Sequence, residues 1–75
     1  MGLDTSERVR RYLRAIGPAV AGSGRSHATV LSACLAGHDF GLDLGAFYPL
    51  LDEWNGANQP PLDDRTLRTQ VESAY

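Results

Sequence analysis

The sequence contains no lysine; all seven of its basic residues are arginine. Arginine's planar fork suits bidentate contacts to phosphate, and GC-rich coding would produce the same composition. There is one cysteine, Cys34, which excludes an internal disulfide framework and suits a reducing compartment. No stretch approaches the roughly 20 apolar residues that span a bilayer, so no membrane partner is expected. The N-terminus shows no apolar run behind a basic patch, so no signal peptide is read there, and a cytoplasmic location is expected. Strand-like alternation, internal repeats and low-complexity tracts are all missing, which leaves an all-α protein. At 75 residues the chain reads as one small domain, residues 1–75. Such a domain buries only about 60% of the surface its unfolded chain exposes. That leaves little room for both a core and an enclosed active site.

What is present reads as a small bundle of about four helices. The first should run from about Ser6 to Ile16, with Val9, Tyr12, Leu13 and Ile16 as its apolar stripe. Asp4, Thr5 or Ser6 can cap it, and Gly17-Pro18 ends it. The second begins near Ser26 or His27 and reaches about Gly37, with Ser26 able to cap it and Gly37 supplying its stop. Val30, Leu31, Cys34 and Leu35 form its buried stripe, and small Ala33 allows a close neighbour. Asp43 announces the third, where Phe47, Leu50, Leu51 and Trp54 recur at i, i+3, i+4 and i+7. Pro49 should kink that helix or push its start later. Asn55-Gly56 ends it, since both residues tolerate left-handed backbone. After the rigid connection GANQPP, Asp63 caps a last helix from Asp64 to about Tyr75. Leu62 and Leu67 have the spacing of a hydrophobic staple, and Leu67, Val71 and Ala74 face inward. The chain stops at Tyr75 without a C-cap signal, which suggests a piece of a longer protein.

Little of this sequence suits catalysis. His27 and His38 lie eleven residues apart, roughly 16 Å along one helix, too far to share a metal ion. Cys34 falls on an apolar stripe and reads as a buried structural thiol rather than a nucleophile. Asp52-Glu53 and Asp63-Asp64 are adjacent pairs, and neighbours on a helix point about 100° apart. Trp54 reads as a core anchor, with base stacking by Trp54 or Tyr12 as the alternative.

Charge is distributed unevenly. Residues 1–25 hold five arginines against Asp4 and Glu7, a balance of +3, while residues 26–75 carry −5. Arg8, Arg10, Arg11 and Arg14 occupy the arc of the first helix away from its apolar stripe. That arc is either a solvated face or a basic surface for a nucleic-acid backbone. The stretch AGSGRSHATVLSAC places Gly22 and Gly24 before a helix start that carries Arg25, Ser26 and His27. A helix N-terminus with free amides is a ready anion site, although the phosphate-binding G-x-x-x-x-G-K-[ST] pattern is absent. Read from its residues, the stretch is either a phosphate cradle or an interhelical bend.

The segments AIGPAVAGSGRSHATVLSAC, FGL and LLDEWNGANQPPLDDRTLRTQVESAY, in that order, resemble the helical primase C-terminal domain family. The most specific pieces are Gly22-x-Gly24 with Thr29 and Ala33 behind it, Leu50-Leu51-x-Glu53-Trp54-Asn55, and Pro60-Pro61 before the last capped helix. Where members of that family read Gly-Gly-His-Asn after the turn, this chain has Gly24-Arg25-Ser26-His27. The resemblance implies a helical domain that follows an archaeo-eukaryotic primase–polymerase core in replication proteins of phages, plasmids and related mobile elements. It implies no catalysis and no cofactor in the domain itself, ATP or another NTP and magnesium being ligands of the parent nucleotidyltransferase. The expected partners are single-stranded DNA template, the initiating nucleoside triphosphate, and the catalytic core in the same chain. The nucleotide site would comprise Ser23, Gly24, Arg25, Ser26 and His27 with Arg65 and Arg68, and Arg8, Arg10, Arg11 and Arg14 would carry DNA. The alternative is a spacer or protein-interaction module that docks the primase core to a helicase partner.

Overall fold

The computed structural model describes residues 4–75. Four helices account for the fold: α1 (Thr5–Ile16), α2 (Ser26–Asp39), α3 (Leu44–Asn55) and α4 (Asp64–Ala74). Three of them start on an aspartate whose carboxylate accepts an amide from the first turn. Asp4 takes Glu7 N–H at 2.8 Å, Asp43 takes Ala46 N–H at 2.7 Å, and Asp63 takes Thr66 N–H at 2.7 Å. Each satisfies an amide that the helix cannot. The chain is a small all-α bundle.

The core is built around α3, whose Phe47 and Leu51 are completely buried and whose Leu50 and Trp54 complete the same stripe. Val9 and Leu13 of α1, Cys34 of α2, and Leu67 and Val71 of α4 close over it. Leu62, just before the Asp63 cap, packs against the same core as Leu67, which is the geometry of the expected staple. Trp54 is an anchor, 8% exposed, and its indole N–H donates to Gly17 O at 3.0 Å. That bond ties the end of α3 to the end of α1.

The second helix differs most from expectation. It runs on to Asp39, and Gly37 lies inside it rather than at its end. Gly37 is buried, and glycine is needed there because a Cβ would collide with the Phe47 ring and the Tyr75 hydroxyl. The true stop is Gly41, at φ +80°. Its amide donates to His38 O at 3.0 Å while Leu42 N–H donates to Gly37 O at 2.9 Å, the paired bonds of a Schellman ending. Ala33, Ala36 and Gly37 take the inward face, so Leu31, expected in the core, is 48% exposed, and Leu35 is half-buried. Tyr12 likewise leaves its expected inward position and is 43% exposed.

Pro49 does not displace the start of α3; it is the sixth residue of an unbroken helix. Pro49 and Gly45 are both exposed, so the carbonyl left without a donor is solvated. The helix ends without left-handed backbone, since Gly56 has φ −58°. The turn tightens instead, with Ala57 N–H donating to Trp54 O and Asn58 N–H to Asn55 O.

Candidate functional site

Two connections, residues 17–25 and 56–63, meet beside the start of α2. Gln59 N–H donates to Ala19 O at 2.9 Å and Ala21 N–H donates to Gln59 O at 2.7 Å, an isolated parallel bridge between Val20 and Gln59. Beneath it lie two buried asparagines, 5% and 3% exposed. Asn58 Oδ1 accepts Ala19 N–H at 2.8 Å, and Asn58 Nδ2 donates to Asn55 Oδ1 at 2.9 Å. Asn55 also brackets Leu62, accepting its N–H at 2.9 Å and donating to its carbonyl at 2.8 Å. A side-chain amide has one acceptor and two donor hydrogens, so this pair supplies the backbone partners that irregular chain would otherwise lack. Sequence reasoning placed Asn55 as a helix stop and Asn58 in a rigid linker, and missed both roles. Two asparagines three apart at a helix end, before a Pro-Pro pair, are the available signal.

On this frame the 21–25 turn is fully exposed. Gly22 and Gly24 hold φ of +84° and +81°, values that side chains resist. Ser23 N–H donates to Val20 O, and Ser23 Oγ accepts Arg25 N–H at 3.2 Å. Arg25 occupies the cap position of α2 and Ser26 is its first residue, so the expected Ser26 cap is replaced by a start without any side-chain cap. The amides of Ser26, His27 and Ala28 have no acceptor within the helix. Ser26 and His27 face a groove of about 370 Å³ whose walls include Val30, Pro60, Pro61 and Leu62, with Thr66 and Gln70 of α4 on the far side. The lining is mostly apolar, with polar groups from α2, the second connection and α4 around it.

Arg68 is not brought to this groove. Its guanidinium lies 4.9 Å from the centre of the Tyr48 ring and donates to Asp64 Oδ2 at 3.2 Å. The Tyr48 hydroxyl also donates to Asp64. That hydrogen bond first, and the Arg68 charge after it, hold the Asp64 carboxyl below the usual carboxylate range. Arg65 is exposed and sits about 100° around α4 from Thr66. Ser23, Gly24, Arg25, Ser26 and His27 therefore form one cluster, while Arg68 belongs to the α3–α4 cleft.

The α1 arginines divide into two flanks. Arg10 reaches Glu7 at 3.1 Å and Glu53 of α3 at 3.6 Å. With Arg14 it borders a cleft of about 280 Å³ over Leu50 and Trp54. Arg8 and Arg11 lie on the opposite flank. Arg8 stands 6.0 Å from the centre of the Phe40 ring, and Arg11 only grazes Glu7, at 4.0 Å.

Cys34 is 1% exposed, and burial pushes its thiol up to about 11, so near neutral pH it stays protonated and unreactive. Among the described residues no three His, Cys, Asp or Glu side chains converge as metal ligands, and no helix is long and apolar enough to cross a membrane. Comparison with protein families, curated proteins and solved structures finds no match to this chain.

Proposed function

We propose that this chain is a non-catalytic accessory domain of a DNA primase–polymerase. In this reading it holds single-stranded template and the phosphates of the initiating nucleotide while the polymerase core performs metal-dependent transfer. The observation that carries it is the groove at the uncapped start of α2, where Ser26 and His27 adjoin a cleft walled by Pro60 and Pro61. Free amides and Arg25 suit phosphate oxygens. The apolar walls suit the rest of a nucleotide, because ligand sites pair apolar lining with a few oriented polar groups. The sequence resemblance supplies the primase context, and the single cysteine suits a cytoplasmic setting.

An NMR titration of the chain with ATP and magnesium, with and without a short single-stranded DNA, tests this. Shifts centred on residues 22–29 are expected, and they should weaken in Arg25→Gln and His27→Gln without loss of fold. Unchanged spectra at low salt and high ligand would overturn the nucleotide assignment. A second reading, a docking module between the primase core and a helicase, draws on the exposure of Leu31 beside half-buried Leu35. Loss of partner binding in Leu31→Asp, with nucleotide binding absent, would favour it.

A further inference from the structure

Tyr12 is a large aromatic residue that the fold leaves 43% exposed. It does not hang free. Its ring packs against Phe40, centroids 5.5 Å apart and planes tilted by 57°, and Phe40 is held in turn by the core. Arg8, one helical turn before Tyr12, stands over the same Phe40 ring, and Arg11, about 100° around the helix from Tyr12, has 64% of its side chain exposed. On this flank Arg8 makes no ion pair among the described residues, and Arg11 makes only a long one, to Glu7 Oε1 at 4.0 Å. The nearest carboxylate, Glu7, is hydrogen-bonded to Arg10, and Asp4 is occupied in capping α1. The opposite flank is different, since Arg10 and Arg14 there share their cleft with Glu53.

We infer that the Tyr12 ring is a stacking platform for one base of a single-stranded nucleic acid, with Arg8 and Arg11 holding the flanking phosphates. An oriented aromatic face beside arginines is the combination that single-strand binders use, because every base has a π face and every phosphate a charge. Phe40 fixes the ring's orientation before any ligand arrives, which lowers the ordering cost of binding. The inference rests on the template-binding part of the proposed function and deepens it. It places the strand on the Arg8–Arg11 flank of α1 and leaves Arg10 and Arg14 to structure.

Fluorescence anisotropy with a labelled oligothymidine and an abasic strand of equal length, at low salt, tests the assignment. Tyr12→Leu, which keeps an apolar contact to Phe40, should lose about fivefold in affinity for oligothymidine and nothing for the abasic strand. Tyr12→Phe should bind as the parent chain does. The Arg8→Gln/Arg11→Gln pair should weaken both ligands and reduce the salt slope by about one per lost contact. Equal affinity of the parent chain for the two strands, or parent-like binding by Tyr12→Leu, overturns the stacking role. In that case nucleotide shifts at residues 22–29 would leave the proposed function standing. Competition by polyglutamate as effective as by oligothymidine would make this flank a protein-docking surface. Failure of the parent chain to bind either strand removes both the platform and the template reading.

Discussion

Replacing Asn58 with alanine should cost far more than a linker residue ordinarily does. The side chain accepts Ala19 N–H and donates to Asn55 Oδ1, and both ends of this link are buried. Alanine removes the amide and leaves the Ala19 N–H, in a residue only 6% exposed, without an acceptor. An unpaired buried amide costs about 1–3 kcal/mol. Asn55 Oδ1 keeps its bond from Leu62 N–H, so little is added on that side. A loss of about 2 kcal/mol is expected, which for a domain of this size lowers Tm by roughly 8–16 °C. Urea unfolding of Asn58→Ala against the parent chain measures it, and amide exchange reports where it acts. Ala19, Ala21 and Gln59 should lose protection first, since all three donate in the bridge between the connections. Asn55→Ala and the double variant complete a cycle whose terms should be non-additive, because the two side chains share a bond. A change below about 0.5 kcal/mol with unaltered exchange would refute the reasoning, and the asparagines would then be passengers.

Three further outcomes follow from the packing and the burial. Gly37→Ala should destabilise by about 1–3 kcal/mol in thermal melts, despite alanine's better helix propensity, because the new methyl meets the Phe47 ring. Pro49→Ala should raise Tm, since it restores an amide donor at an exposed position inside α3. The Cys34 thiol is raised by burial from 9.0 to about 11, so the folded chain retains a proton that the unfolded chain releases. That contribution is complete below pH 9 and fades as pH rises towards 11, a loss of up to about 2 kcal/mol. Unfolding measured across that range should show the decline, and Cys34→Ala should reduce it, leaving the part that the Tyr48 and Tyr75 hydroxyls, also raised, contribute.

Much of the bundle is legible in the sequence because its signals are local. Asp43 and Asp63 cap through bonds to residues three positions away, and the α3 stripe repeats within two turns. The errors arise where a residue answers to something distant. Gly37 resembles a helix stop until Phe47 and Tyr75 are placed against it. Leu31 looks like core until the small face of Ala33, Ala36 and Gly37 claims the interior. Arg68 looks like a free cation, and its partner Asp64 is four residues away, yet the Tyr48 ring beneath it comes from another helix. The 21–27 cluster was visible as composition. Its groove was not, because the Pro60-Pro61 wall belongs to a segment some forty residues later.

The bridge between the two connections also makes the groove divisible. Ser26 and His27 lie in the first half of the chain, while Asn58, Pro60 and Pro61 lie in the second. Two fragments produced by dividing the molecule between α2 and α3 would each carry part of the groove lining. Neither alone would have the amide partners that shape the other.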